Sequence, residues 1–246
     1  MTKICFPIVL LIGSLSICGI PNAQETIVEI DYSTPRLFET SYGFAGYGIE
    51  GEDGGHTVDE GLVAKHAESK TDGNPDACLT GTFDSSKMKM PENTSYDYVG
   101  WGVGSALELK QAWKHADLEN YSVSFDAKVA GTRSLSASKF MLNFVTDDDA
   151  VEKDEDENDD VVLKLGRGLE DGTDTLTLTN EYQTFTYNLK DDLRIVDGSI
   201  AGFAKVDVKK ISFTVQAQGD SYDIGKDADN VLYVDNFRIN KVEKKK

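Results

Sequence analysis

Hydrophobic side chains alternate with polar ones along several stretches of this chain, and a period of two is the pattern of a half-buried strand. Val123, Phe125, Ala127 and Val129 fall on one side of Tyr121–Val129, with Ser122, Ser124, Asp126 and Lys128 on the other. Ile211, Phe213, Val215 and Ala217 repeat it. Residues 26–31, 61–66, 76–83, 105–110, 139–146, 161–165, 175–179, 183–189 and 231–240 also read as strands. Turn clusters separate them: GEDGG, TDGNPD, EDGTD, VDGS and QGDS. The segment 107–118 comes nearest to a helical period, and its second half reads equally well as a loop. Short strands without helices imply an all-β chain of two antiparallel sheets packed as a sandwich. Val123, Phe125, Ile211, Phe213 and Val215 are expected to face inward together, because a one-residue slip would expose all five.

The N-terminus is of a different kind. Lys3, an apolar run from Phe6 to about Ile20 and the small residue Ala23 have the order of a secretory signal peptide. Residues 1–23 are therefore expected to be removed, leaving 24–246 as a single β-sandwich domain, extracellular or periplasmic. Ile17 before Cys18 is the wrong residue for a lipid-attachment site. Loss of Lys3 takes the net charge from −18 to about −19, which speaks against nucleic-acid or anionic-membrane binding by general electrostatics. No later run approaches the ~18 apolar residues of a membrane span. Cys5 and Cys18 leave with the signal, so Cys78 has no partner for an internal disulfide and reads as a small buried hydrophobe. Stretch 147–160, DDDAVEKDEDENDD, packs ten acids and one lysine into a solvated loop. Its acids do not fall at EF-hand spacing.

Four short motifs invite chemistry and lack its context. Gly46, Gly48 and Gly51 spell GxGxxG, but no helix follows to receive a phosphate. Glu29-Ile30-Asp31 matches part of a β-glucanase strand motif, with Ser33 and Thr34 where the third acid belongs. Gly219-Asp220-Ser221 matches an esterase nucleophile block without its histidine, and reads as a turn. Asp72, Asn74 and Asp76 have the first spacings of a calcium loop, yet Pro75, Ala77 and Phe83 break the rest. This too reads as a turn.

Aromatic residues beside glycines are the more informative signal. Tyr42, Phe44 and Tyr47 interleave with glycine in SYGFAGYG. Tyr96, Tyr98 and Trp101 do so in SYDYVGWGVG, and Trp113 lies in QAWKHAD. Flat rings of this kind can stack on the C–H face of a sugar while neighbouring Asp, Asn and Gln bind its hydroxyls. Trp101, with Tyr47, Tyr96, Tyr98 and Trp113, is the expected carbohydrate-binding set; the alternative is that these rings fill the core.

Four segments carry a family resemblance: RLFETSYGF (36–44), LENYSVSFDAKVAG (118–131), NEYQTFTYNL (180–189) and KKISFTVQAQG…NVLYVDNFRI (209–239). They resemble, in order, the "FE…GW", "Y-x-[VL]-S-F-x-[AV]-K", "W-x-x-[FY]" and "[IV]-D-[ND]-[VF]-x-[LI]" patterns of carbohydrate-binding modules on the galactose-binding-like jelly roll. Phe44 and Tyr182 stand where that family usually has Trp. The resemblance implies a jelly-roll sandwich that binds xylan, cellulose or β-glucan without catalysis. It also implies a structural calcium joining the closing-strand Asp, here Asp235, to the N-terminal segment, with Glu39 in the FE position as its partner. Independently, the odd positions of Val231–Ile239 place Asp235 on the apolar face unless a bulge intervenes.

Three functions follow. The first is a secreted, monomeric, non-catalytic protein that binds a neutral or weakly charged polysaccharide or oligosaccharide. The second is an extracellular structural or adhesion sandwich, which requires Trp101, Tyr98 and Trp113 to be buried. The third is a jelly-roll lyase or glycoside hydrolase, which requires paired carboxylates or a Tyr/His/Arg cluster on one face.

Overall fold

A computed structural model describes residues 26–33, 39–49, 56–57, 64–83, 96–113, 118–131, 135–146, 161–168, 175–220 and 230–242. At 39–40, 44–49, 56–57, 64–65, 83, 96–100, 110–112, 135–137, 218–220 and 230 it describes backbone alone. The signal-peptide stretch 1–23 and the acidic stretch 147–160 lie outside the described residues. Among those described, no helix is long and apolar enough to cross a membrane.

Among the described residues thirteen strands form two antiparallel sheets. They are β1 (Thr26–Ile30), β2 (Glu39–Ile49), β3 (His56–Thr57), β4 (Ala64–Ser69), β5 (Cys78–Phe83), β6 (Tyr96–Trp113), β7 (Tyr121–Ala130), β8 (Leu135–Val145), β9 (Val161–Arg167), β10 (Gln183–Asn188), β11 (Arg194–Gly198), β12 (Val208–Asp220) and β13 (Asn230–Lys241). The first sheet has the order β10-β7-β13-β5-β4, with β1 also on β13; the second runs β11-β9-β8-β12-β6-β2-β3. Among the described residues are a 3-10 turn, Leu118–Asn120, and an α-helical turn, Ile200–Phe203, which starts at the N-cap Ser199, whose hydroxyl accepts the Gly202 N–H.

The five inward residues expected from alternation are all buried. Rings from the two sheets meet face to face between them. Phe213 of β12 stacks on Phe237 of β13, with centroids 4.1 Å apart and planes within 4°. Phe125 of β7 stacks on Phe140 of β8 at 4.6 Å. Close approach elsewhere needs a glycine: a Cβ on Gly81 of β5 would stand 2.3 Å from Val103 Cγ1 of β6.

Several segments differ from their sequence reading. Strand β6 runs to Trp113, through the region with the nearest helical period, because Trp113 packs edge-on to Tyr121 at 4.8 Å and against Phe144 and Phe203. The glycine-rich 39–49 is a full strand paired with β6 along its length. Residues 175–179 are not a strand. Strand β12 continues through Gly219 and Asp220, opposite Val99 and Tyr98, where a turn is the sequence expectation. Residues 70–76 do form the bend read from TDGNPD.

Trp101 is 1% exposed and is among the largest wholly buried side chains. Trp101→Ala should lower stability by about 3–5 kcal/mol in a urea titration. A loss below about 1 kcal/mol would contradict the packing described here.

Candidate functional site

Burying one side of the second sheet leaves the opposite side to the even-numbered residues of β12. Ser212, Thr214 and Gln216 point away from Ile211, Phe213 and Val215. The register sets their neighbours. Ser212 lies between Asn143 of β8 and Ala106 of β6. Thr214 lies between Met141 and Gly104, and Gln216 between Lys139 and Gly102. Beyond Gly104 comes Tyr42 of β2.

These side chains form a line of polar groups across four strands. Asn143 Nδ2 donates to Ser212 Oγ at 3.1 Å. The Tyr42 hydroxyl donates to the Phe213 carbonyl at 3.1 Å, next to Ser212 in the chain. The Tyr42 ring crosses the sheet over Gly104, where a Cβ would stand 3.0 Å from Tyr42 Cζ and 2.0 Å from the Phe213 oxygen. Glycine at 104 is therefore what lets the ring lie down. Burial pushes the Tyr42 pKa up, so the hydroxyl keeps its proton. Two atoms in this region, Asn143 Oδ1 and Thr214 Oγ1, are buried with no hydrogen-bond partner among the described residues. Ser212 and Thr214 are 9% and 7% exposed, so Gln216, Asn143 and Tyr42, each partly exposed, are the groups of this face that a polyhydroxylated ligand could meet.

The residues singled out from sequence fare differently. Trp101 and Trp113 are 1% and 7% exposed, so neither offers a ring face to a sugar. Their expected role as exposed binding residues is corrected by strand parity. Trp101 shares the inward side of β6 with Val103 and Ser105, while the glycines of GWGVG occupy the other side. Tyr47 lies in β2 opposite Val99, Tyr98 lies opposite Gly48, and Tyr96 lies opposite Ile49. Their side chains lie outside the described residues. The polar line itself was readable in the even positions of SFTVQ (212–216).

Asp235 is 2% exposed, but it does not belong to the apolar set. The β13–β7 register shifts between Asp235 and Arg238, and Asn236 adopts φ 51°, a left-handed conformation that Asn tolerates better than most residues. This bulge reverses the parity, so that Leu232 and Val234 face inward before it and Phe237 and Ile239 after it. Asp235 stays on the side of Tyr233, beneath the 70–76 bend. Its two oxygens accept the backbone N–H groups of Asn74 and Asn236, both at 2.7 Å. Asp126 accepts Thr184 Oγ1 at 2.6 Å on one oxygen, and on the other Asn236 Nδ2 at 2.8 Å and Asn74 Nδ2 at 3.2 Å. Each of the four carboxylate oxygens thus already faces a donor. Among the described residues no group of three or more His, Cys, Asp or Glu is placed to hold a metal. The Glu39 side chain lies outside the described residues. Calcium at Asp235 and Glu39 stands as a proposal that this hydrogen-bond geometry does not favour.

The remaining motifs are structural. Glu29 pairs with Arg238 at 2.8 Å, and Asp31 accepts the Ser33 N–H at 3.2 Å. Gly46 and Gly48 are strand residues of β2, and Gly51 lies outside the described residues. Cys78 is a buried free thiol, as expected, and burial pushes its pKa up.

No family model and no curated protein matches the chain. Among solved structures it is similar to a family 11 carbohydrate-binding module from Clostridium thermocellum, in complex with a beta-1,3-1,4-mixed-linked tetrasaccharide. That match has 13% identity and a TM-score of 0.44, over 88% of this chain and 96% of the other. A family 30 carbohydrate-binding module matches at 14% identity and TM-score 0.40, over 87% and 92%. A tandem pair of family 22 modules from Paenibacillus barcinonensis matches at 10% and 0.40, over 89% and 50%.

Asp235 should also leave a mark on stability. Burial pushes its pKa up from 3.8 to about 6, helped by the nearby Asp126 and Asp31 and opposed by the two N–H groups. A carboxyl that holds its proton more tightly folded than unfolded favours the fold below about pH 4. It loses that advantage as pH rises to about 6, by roughly 2–3 kcal/mol. Asp235→Asn should flatten this part of the stability–pH curve, and an unchanged slope would contradict the assignment. EDTA should leave the melting temperature of the native protein unchanged; a drop that Asp235→Ala abolishes would place calcium there.

Proposed function

We propose that this chain is a secreted, non-catalytic protein that binds a polysaccharide on the non-core face of its seven-stranded sheet. The observation that carries this reading is the row of Asn143, Gln216 and Tyr42 on that face, each partly exposed, with Asn143 Nδ2 fixed on Ser212 Oγ at 3.1 Å. The Tyr42 ring, close to Gly104 and partly exposed, supplies an apolar surface for a sugar's C–H face. Rigid strands hold these groups before the ligand arrives, which limits the entropy lost on binding. The signal-like N-terminus agrees with an extracellular ligand.

One observation favours a structural or adhesion sandwich instead: Trp101 and Trp113, two of the three rings whose burial that reading requires, are buried. A glycan array probed with residues 24–246 separates the two. Binding is expected, and Tyr42→Ala should weaken it by roughly 1–3 kcal/mol while the protein still melts cooperatively. Unchanged binding in that variant would move the site off this face. No binding to any polysaccharide would leave the structural reading.

A further inference from the structure

The register row that holds Tyr42 does not end at Thr214. On β8, alternation sends Phe140, Leu142 and Phe144 into the core, where all three are wholly buried. It sends Lys139, Met141 and Asn143 to the opposite face, where each is partly exposed. Lysine and asparagine are at home on a face that water reaches, whereas the thioether between them is apolar. Met141 stands directly opposite Thr214 of β12, Thr214 opposite Gly104 of β6, and Gly104 opposite Tyr42 of β2. One row across four strands therefore has an apolar, partly exposed group at each end, with a 7% exposed threonine and a glycine between them.

The Tyr42 ring reaches beyond its own strand. Its hydroxyl bonds to the Phe213 carbonyl of β12, so the ring bridges β6. A Cβ on Gly104 would stand 3.0 Å from Tyr42 Cζ and 2.9 Å from Thr214 Cγ2, which brings the ring and the threonine methyl to one spot. From β6 to β8 is two strand spacings, ~10 Å, so the ring and Met141 are about the length of a disaccharide apart. Polar groups border the row on both sides. Asn143, fixed on Ser212, lies two residues along β8 from Met141, and Gln216, opposite Lys139, lies two residues along β12 from Thr214 in the other direction, each ~7 Å from the row. A sugar chain laid along β12 would meet little besides Gln216, because Ser212 and Thr214 are 9% and 7% exposed. Laid across the strands, it meets both apolar groups and has a hydrogen-bonding edge on either side.

We propose that Met141 is the second apolar contact of the glycan site and sets the direction of the chain. The chain crosses the strands with one sugar on the Tyr42 ring and another on the Met141 thioether, its hydroxyls facing Asn143 along one edge and Gln216 along the other. This rests on the glycan-binding reading above. The class of ligand follows from it: an extended, β-linked chain longer than a disaccharide, whose equatorial hydroxyls lie at its edges and leave flat C–H faces for the ring and the thioether. An α-linked chain curves away from a row of this kind.

The test titrates residues 24–246 and the variants Met141→Gln, Met141→Leu and Tyr42→Ala with four sugars: β-1,4-linked hexasaccharides of glucose and of xylose, the α-1,4-linked glucose hexasaccharide, and the disaccharide cellobiose. At least one β-linked hexasaccharide should bind about tenfold or more tighter than the disaccharide, which covers one contact of the two, and than the α-linked chain. Met141→Gln keeps the length of the side chain and replaces the thioether with an amide, so affinity should fall by about fivefold. Met141→Leu should stay within about twofold of the native protein. The methyl 13C signal of Met141, identified by its absence from Met141→Leu, should shift on saturation. Affinity untouched by Met141→Gln, with Tyr42→Ala weakened, would overturn the proposal and leave the glycan site on this face. Equal losses in Met141→Gln and Met141→Leu would also overturn it, because residue 141 would then act through something other than apolar contact. Binding unchanged in Tyr42→Ala would take the site off this face and the proposal with it. Binding of neither β-linked hexasaccharide would overturn the ligand class and the proposal, with the glycan array still deciding the wider reading.

Discussion

Two pairs of stacked rings set the parity of the sandwich. Phe213 on Phe237 and Phe125 on Phe140 join the sheets across their shared interior, each pair with one ring from either side. Because side chains alternate along a strand, fixing Phe213 inward sends Ser212, Thr214 and Gln216 outward, and fixing Phe140 inward does the same for Asn143. The candidate site is thus a consequence of the core. Slipping β12 by one residue would turn three polar side chains into the shared interior and break the Asn143–Ser212 hydrogen bond.

The same constraint explains what was legible beforehand. The inward faces of β7 and β12 were readable because four apolar residues in each repeat at period two. Trp101 was misplaced because its ring was judged as a type of residue beside glycines, when its parity with Val103 already placed it inward. Strand β2 was hidden by Gly43, Gly46 and Gly48, which weaken any strand signal. At Gly43 an added Cβ would stand 3.0 Å from the His66 Cβ, so absence of a side chain there permits close packing.

Asp235 shows a different limit. Its parity was correctly derived for an unbroken strand, and the bulge at Asn236 reversed it. The only local sign was an Asn inside a strand, a residue type that accepts positive φ. The donors that satisfy the carboxylate come from Asn74, 161 positions away, and from the bulge itself. Contacts so distant in sequence leave no periodic trace.

The central claim is that function resides on the non-core face of the seven-stranded sheet. Amide chemical-shift mapping tests it most directly, by titrating isotope-labelled residues 24–246 with oligosaccharides of a bound polysaccharide. The account predicts that the largest shifts cluster at Tyr42, Asn143, Ser212, Thr214 and Gln216, with the amides around Asp126, Tyr182 and Tyr233 unmoved. Shifts confined to that second group, with β8 and β12 silent, would contradict it.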